Sequence, residues 1–145
     1  MTASNYFTKE QQSQIIEAIK EAEMNTSGEI RVHIESKCNE DVLDHTAWLF
    51  NYLKMDKTEQ RNGVLVYLAV ESKKFAIIGD SGINAVVPSD FWDTTKEMMK
   101  LHFAEGRLTE GITGAVLLAG VHLKKFFPHQ TDDVNELADE ISFGK

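Results

Sequence analysis

The sequence has few of the residues that would place it outside the ordinary class of single-domain globular proteins. Cys38 is its one cysteine, so no internal disulfide can form and no pair of thiolates is available for a metal. There are two prolines, and no apolar run reaches the about 20 residues that a bilayer span needs. The first residues lack a basic start followed by an apolar stretch, so no signal peptide is expected. These absences predict a cytoplasmic protein with no membrane partner.

Basic residues are also in deficit. Fifteen Lys and Arg stand against 23 Asp and Glu, for a net charge of -8. Nucleic acid is excluded as the default partner, because binding to phosphates needs a basic surface, whereas cations or basic proteins remain compatible. The 145 residues, 42% of them hydrophobic, suit one domain. We predict that residues 1–128 form this domain and that residues 129–145 are an acidic tail, either a weak helix or mobile.

Apolar patterns along the chain predict four helices and three strands. The strands are EIRVHIES, VLVYLAV and FAIIG, and the turn ESKK joins the last two as a hairpin. The order is α-β-α-β-β-α-α, in which the second helix forms a right-handed crossover and makes the first two strands parallel. The third strand is antiparallel to the second. This order predicts a layered α/β fold with a small mixed central sheet.

Several side chains are assigned by the same patterns. His33 falls on the polar face of the first strand and is expected to be solvated. Trp48 and Tyr52 widen the apolar face of the second helix and are expected in the core. Ser89 or Asp90 is expected to cap the following helix, because Pro88 disfavours a helix immediately before it.

The predicted strand directions bring three turns to one edge of the sheet. TSGE enters the first strand, QRNG enters the second and GDSGIN leaves the third, with the next helix starting close by. Oxygen ligands dominate the polar side chains there, with a single arginine. These side chains are Ser27, Glu29, Arg61, Asn62, Asp80, Ser81, Asn84, Asp90 and Asp93.

Two kinds of site fit this chemistry, and a third interpretation needs no site. Carboxylates, amide oxygens and carbonyls suit Ca²⁺ or Mg²⁺, with Asp80 as the first ligand and Asp90, Asp93 and Glu29 as co-ligands. Alternatively, Arg61, glycine-rich backbone N–H groups and a helix N-terminus bind a phosphate. In the third interpretation, aspartate, serine and glycine only form and cap a turn.

The motifs SGEIRVHIE, RNGVLVYLAVESKKFAIIGDSGIN and FAEGRLTEGI, with a tryptophan-containing helix between the last two, resemble the TPM domain over residues 8–128. This domain occurs in thylakoid-lumen acid-phosphatase-like proteins and bacterial relatives. The resemblance implies a three-layer α/β/α sandwich, a divalent-cation site in the loops, and the acid phosphatase activity of some members. The family-like positions are Gly28, Glu29, Arg61, Asn62, Gly63, Gly79, Asp80, Gly82 and Ile83.

Many TPM proteins carry a signal peptide before the domain and a transmembrane helix after it, neither of which is expected here. The leading hypothesis is therefore a cytosolic module that binds Ca²⁺ or Mg²⁺. The alternative is a metal-dependent, acid phosphatase-like phosphomonoesterase in which Asp80 holds metal or attacks phosphorus. Arg61 would then stabilise charge in the transition state and Glu29 would shuttle a proton. A second alternative is a protein-interaction domain without a ligand, using the acidic tail and an exposed apolar patch.

Overall fold

The computed structural model describes residues 2–129 and 140–144. Its elements follow the predicted order, with an added short helix and an added C-terminal strand. The strands are β1 (Glu29–Glu35), β2 (Gly63–Ala69), β3 (Lys74–Gly79) and β4 (Ile141–Phe143). The helices are α1 (Lys9–Glu23), α2 (Val42–Tyr52), α3 (Ser81–Asn84), α4 (Asp93–Ala104) and α5 (Leu108–Leu123), with 3₁₀ turns at Ala3–Tyr6 and Met55–Lys57.

The four strands form one mixed sheet in the order β3-β2-β1-β4. β1 and β2 are parallel, with Glu29 opposite Gly63, and β2 and β3 are antiparallel, with Val64 opposite Gly79. Both predicted directions are confirmed. The end of β3 therefore lies at the same edge of the sheet as the starts of β1 and β2.

Helices cover both faces of the sheet. On one face, the β1 residues Ile30, Val32 and Ile34 belong to a large core that includes buried side chains of α1, α4 and α5. On the other face, α2 packs Leu49 and Phe50 onto β2. The predicted three-layer α/β/α arrangement is confirmed. None of the helices described here combines the length and apolar character that crossing a lipid bilayer demands.

The buried side of α2 differs from the prediction. Trp48 and Tyr52, expected in the core, are 57% and 67% exposed, whereas Thr46, Leu49 and Phe50 are buried. Apolar residues surround most of this helix, so more than one stripe could have faced the sheet. Tertiary packing selected the stripe containing Leu49 and left the two large aromatic rings in solvent.

The end of the chain adds a strand that was not predicted. Residues Ile141–Phe143 form β4, which pairs in parallel with β1, so this part of the tail is a strand and not a helix. Three residues are too few for a period-two pattern to stand out, but the open edge of β1 offers them unpaired backbone groups. Residues 130–139 of the predicted tail lie outside the described residues. The domain boundary at 128 stays a prediction.

The segment before α4 is a pair of tight turns, and neither expected cap is used. The Phe91 N–H donates to the Pro88 carbonyl over 3.1 Å, and the Asp93 N–H donates to the Asp90 carbonyl over 3.0 Å. The helix then begins at Asp93 without a side-chain cap, so the prediction of a cap at Ser89 or Asp90 is wrong.

Close contact between α1 and α5 depends on Gly120. A Cβ atom built there would lie 2.8 Å from the Cα and Cβ atoms of Ala22, which are backbone or short and cannot move aside. Elsewhere on the same helix, a Cβ at Gly114 would meet only the flexible end of Met98, at 3.0 Å. The two glycines therefore face different constraints within one helix.

We expect Gly120→Ala to destabilise the protein by about 1–3 kcal/mol, because the added methyl group forces α1 and α5 apart. Gly114→Ala is the control, and it should be neutral or stabilise by up to about 1 kcal/mol, since alanine favours the helix and Met98 can shift. Urea unfolding followed by circular dichroism measures both. Equal effects of the two substitutions would contradict the proposed helix contact.

Candidate functional site

The three predicted turns do meet at one edge of the sheet. We call residues 27–29, 60–62 and 80–84 the loop rim. The Glu29 N–H donates to the Asn62 carbonyl over 3.2 Å, which joins the first two turns. The Gly82 N–H donates to the Arg61 carbonyl over 2.9 Å, which joins the second and third.

Gly82 is needed for this approach. A Cβ atom at this position would lie 2.2 Å from the Gln60 carbonyl oxygen and 2.7 Å from that of Arg61. No side chain larger than hydrogen fits against two backbone carbonyls at such distances. Within the GDSGIN segment, Ser81–Asn84 form the short helix α3, and glycine lets its first turn rest on the neighbouring loop.

Asp80 and Arg61 form the central ion pair of the rim. Arg61 donates from Nε to Oδ2 over 2.7 Å and from Nη2 to Oδ1 over 2.8 Å. The Ser81 N–H donates to Oδ1 over 2.7 Å, and the Asp80 side chain is nearly buried. Arg61 has a left-handed backbone with φ of 51°, a conformation that few non-glycine residues adopt. The carboxylate that the sequence ranked first is thus already held by three N–H donors.

Asn62 has an unpartnered oxygen beside this pair. The residue is 1% exposed, and its Nδ2 lies 3.5 Å from the Ser27 hydroxyl, the outer limit of a hydrogen bond. Its Oδ1 is buried and accepts no hydrogen bond. Glu29, whose backbone is bonded to Asn62, is also buried. The rim thus contains buried oxygen atoms of an amide and of two carboxylic acids.

The remaining predicted residues have other surroundings. The Asn84 side chain donates to the Gly79 carbonyl over 3.1 Å and so ties α3 to β3. Asp93 lines a groove along α4, and Asp90 lines another groove together with Phe91. Neither of these two carboxylates makes a side-chain hydrogen bond or ion pair in the described part of the chain. Over residues 2–129 and 140–144 there is no group of three or more His, Cys, Asp or Glu side chains arranged to hold a metal ion.

A second cluster of titratable groups, the Glu35 cluster, lies around the far end of β1. It consists of Glu35, His45, Glu40, Tyr67 and His33. Glu35 Oε1 accepts from the Tyr67 hydroxyl over 2.6 Å and lies 2.7 Å from His45 Nε2. Its Oε2 lies 3.2 Å from His33 Nε2, without hydrogen-bond geometry. Four elements or loops contribute to this cluster, which sequence reasoning missed.

Within the cluster, His45 is clamped between two carboxylates. Its Nδ1 lies 2.6 Å from Glu40 Oε1, and its Nε2 lies 2.7 Å from Glu35. Carboxylates only accept hydrogen bonds, so both ring nitrogens must carry protons. Burial lowers the pKa of His45, but the hydrogen bonds and charges of Glu35 and Glu40 outweigh it, and the pKa is raised. The geometry and the raised pKa both favour the protonated imidazolium in this site.

The pKa of His33 is shifted in the opposite direction. The residue is 4% exposed, so the prediction of a solvated histidine is wrong. Burial lowers its pKa, and the neighbouring Glu35 carboxylate offsets only part of that effect. Its Nδ1 lies 2.8 Å from the Ser142 hydroxyl on β4. The sequence contained one signal for this cluster: His33 and Glu35 are two residues apart, so their side chains share a face of β1. The signal was not sufficient, because that face is buried only when β4 and α2 pack against it.

Comparison with known proteins matches residues 1–120 to the TPM domain. Among solved structures, the chain is similar to the BA42 protein from the psychrophilic bacterium Bizionia argentinensis sp. nov.. That NMR structure superposes with a TM-score of 0.90 at 48% sequence identity, over 95% of each chain. No curated protein matches.

The His45 clamp predicts a pH-dependent contribution to stability. Because the folded pKa of His45 is raised above the ordinary histidine value of 6.5, the contribution is fully present below that value. It is lost as the pH rises through the higher folded pKa. We expect His45→Gln to destabilise by about 1–3 kcal/mol near about pH 6, and by less near about pH 9. Chemical denaturation across this range measures the difference.

His102→Gln, on α4, controls for the loss of a histidine that has no acidic partner in the described part of the chain. It should leave the shape of the stability curve unchanged. A constant gap between wild type and His45→Gln over the whole pH range would show that the clamp contributes through packing and not through charge.

Proposed function

Because the chain belongs to the TPM domain family, we propose that it is a divalent-cation binding domain whose site is the loop rim. The observation that carries the proposal is the Asn62 side-chain oxygen. Among the predicted site residues, all of them described, it is the one whose buried oxygen accepts no hydrogen bond. The proposed ion is Ca²⁺ or Mg²⁺.

An oxygen in this position has a physical reason to bind something. Leaving a buried acceptor without a partner costs about 1–3 kcal/mol, and a bound cation or its water would remove that cost. Hard cations take amide, carbonyl and carboxylate oxygens, and the rim offers Asn62, the buried Glu29 and Asp80. The left-handed backbone of Arg61 adds support, since strained residues concentrate at functional sites.

In this proposal, Arg61 competes with the cation. Its guanidinium neutralises Asp80 through two hydrogen bonds, so an ion that uses this carboxylate must displace it. Few carboxylates converge in the described structure, and affinity rises with their number. We therefore propose weak binding, with a Kd on the order of 10⁻⁴–10⁻³ M, comparable to extracellular calcium modules.

Competition of this kind is testable by removing the competitor. We expect Arg61→Gln to bind Ca²⁺ about tenfold more tightly than wild type, because Asp80 is released. Asn62→Ala and Asp80→Ala should each weaken binding by at least about tenfold, since each removes a ligand oxygen. Titration followed by backbone NMR shifts gives both the affinity and the residues affected.

Arg107→Gln is the matched control, because Arg107 pairs with Glu105 over 2.6 Å in an exposed loop away from the rim. It should leave the affinity unchanged. Shifts scattered over the acidic surface, or equal responses of the Arg61 and Arg107 variants, would mean that Ca²⁺ only screens the net charge. The proposed site would then be rejected.

Acid phosphatase activity remains a prediction from the family resemblance. Arg61, its proposed anion-binding group, already donates two hydrogen bonds to Asp80. A phosphate would have to compete with that carboxylate for the guanidinium. The catalytic roles assigned to Asp80, Arg61 and Glu29 therefore stay predictions. The cytoplasmic location also stays a prediction.

A second candidate function is protein interaction, which the exposed aromatic face of α2 favours. Trp48 and Tyr52 stack at 4.9 Å with their planes 15° apart, and Trp48 also stacks on His45 at 6.0 Å. The flanking Glu40 and Asp44 are acidic and exposed. Aromatic rings beside carboxylates suit the guanidinium and ammonium groups of a basic protein segment.

Trp48 is itself a probe of such binding. In a Trp92→Phe background, Trp48 is the only tryptophan, and we expect an arginine-rich peptide to change its fluorescence in a salt-sensitive way. Tyr52→Ser should weaken the peptide affinity about tenfold, because it removes half of the stack. Leu101→Ser, at a similarly exposed position on α4, is the control. An equal response to a glutamate-rich peptide would contradict this candidate.

A further inference from the structure

An apolar cavity of about 540 Å³ lies between the β2–β3 hairpin and the turn that joins α4 to α5. We call it the lysine pocket. Its apolar walls come from four different elements of the fold. They are Leu68 of β2, Phe75 of β3, Phe103 of α4 and Leu108 of α5. The volume lies within the about 300–1,000 Å³ typical of small-molecule sites.

The walls are held in place by packing. Phe75 and Phe103 meet edge to face, with ring centroids 5.3 Å apart and planes at 69°. Phe103 is in turn seated on Gly111 of α5, where a Cβ atom would lie 2.3 Å from the ring. The two rings therefore have little freedom to move into the cavity that they line. The pocket is formed before any ligand arrives.

Two lysines, Lys73 and Lys100, line the same cavity. Both side chains are exposed, and neither has an ion-pair partner in the described part of the chain. Lys73 also has a left-handed backbone with φ of 54°, at a hairpin position where glycine or asparagine would be more usual. In a chain of net charge -8, two unpaired cations beside an apolar pocket are a local reversal of charge.

We propose that the lysine pocket binds a single-chain anionic amphiphile, such as a fatty carboxylate. The apolar chain lies against Phe75 and Phe103, and the anionic head contacts Lys73 and Lys100. The walls supply the hydrophobic contribution, which grows with the buried area of the chain. The two ammonium groups select the sign of the head group. This site shares no residue with the loop rim and does not depend on cation binding there.

The test uses decanoate, with acetate and decyltrimethylammonium as comparators, and follows backbone NMR shifts of the full chain. Decanoate should shift residues of the pocket, and acetate should not, since the head group alone has no apolar contact. The oppositely charged amphiphile should bind at least about tenfold more weakly than decanoate. In a series of fatty carboxylates of increasing chain length, affinity should rise with each added carbon until the cavity is filled.

Three variants locate the site. Lys73→Glu combined with Lys100→Glu should reduce decanoate affinity at least about tenfold, whereas Lys96→Glu, an exposed lysine of α4 outside the pocket, should not. Ala104→Phe, at an exposed position on the wall, should block binding by filling the entrance without changing charge. Thermal unfolding checks that each variant is folded. If the double charge-reversal variant does not fold, the affinity of the Ala104→Phe variant for decanoate tests the proposal.

Several outcomes overturn the proposal. Equal affinity for the cationic amphiphile would make the lysines irrelevant. Unchanged affinity in both the charge-reversal and the Ala104→Phe variants would move binding elsewhere. Recruitment to vesicles containing phosphatidylglycerol, with no response to decanoate below its micelle concentration, would assign the lysines to a membrane surface instead.

Discussion

The burial of β2 on both faces constrains everything else in this structure. Every residue of Gly63–Ala69 is buried, so each backbone N–H and C=O of the strand needs a partner within the sheet. β1 provides these partners on one side, in parallel, because α2 carries the chain back across the sheet. β3 provides them on the other side, antiparallel, through a short hairpin. Strand direction then decides which loops meet at each edge.

At both ends of the strands, the arrangement removes an acidic side chain from most of the solvent and places cations or hydrogen-bond donors beside it. Asp80 pairs with Arg61, and Glu35 pairs with His45 and accepts a hydrogen bond from the Tyr67 hydroxyl. A carboxylate removed from water without a partner would strongly destabilise the protein. The fold therefore requires these pairs, whether or not they also belong to a functional site. Any ligand of Asp80 acts by exchange with Arg61. For the proposed cation site, affinity would therefore be a difference between two interactions and not the sum of new ones.

The surface outside these pairs is unevenly charged. The exposed aromatic rings of α2 lie among acidic residues. The lysine pocket instead combines apolar walls with two lysines, whose positive charge is opposite in sign to the net charge of the chain. Opposite local charges select opposite kinds of partner, because electrostatic complementarity acts mainly on specificity and on association rate. The two proposed surfaces therefore lie on separate elements of one small domain and differ in local charge.

Much of the architecture could be predicted from local pattern. The alternation in EIRVHIES and the continuous apolar run of VLVYLAV both indicated strands, and the hairpin turn ESKK gave the reversal that brings the rim loops together. The juxtaposition of Asp80, Arg61 and Asn62 followed from direction alone. The pairing of Asp80 with Arg61 did not, because it depends on side-chain reach across a loop whose backbone is left-handed.

By itself, the sequence determined the order of elements, the direction of three strands and the identity of the loops at the rim, since these depend on periodicity and on chain connectivity between neighbours. Only the tertiary structure decided which face of α2 was buried, that β4 completes the sheet beside β1, and that His33 and His45 converge on Glu35. These outcomes come from contacts between residues far apart in the chain. Apart from the two-residue spacing of His33 and Glu35, no local pattern encodes them, because each depends on which surfaces remain uncovered once the other elements have packed.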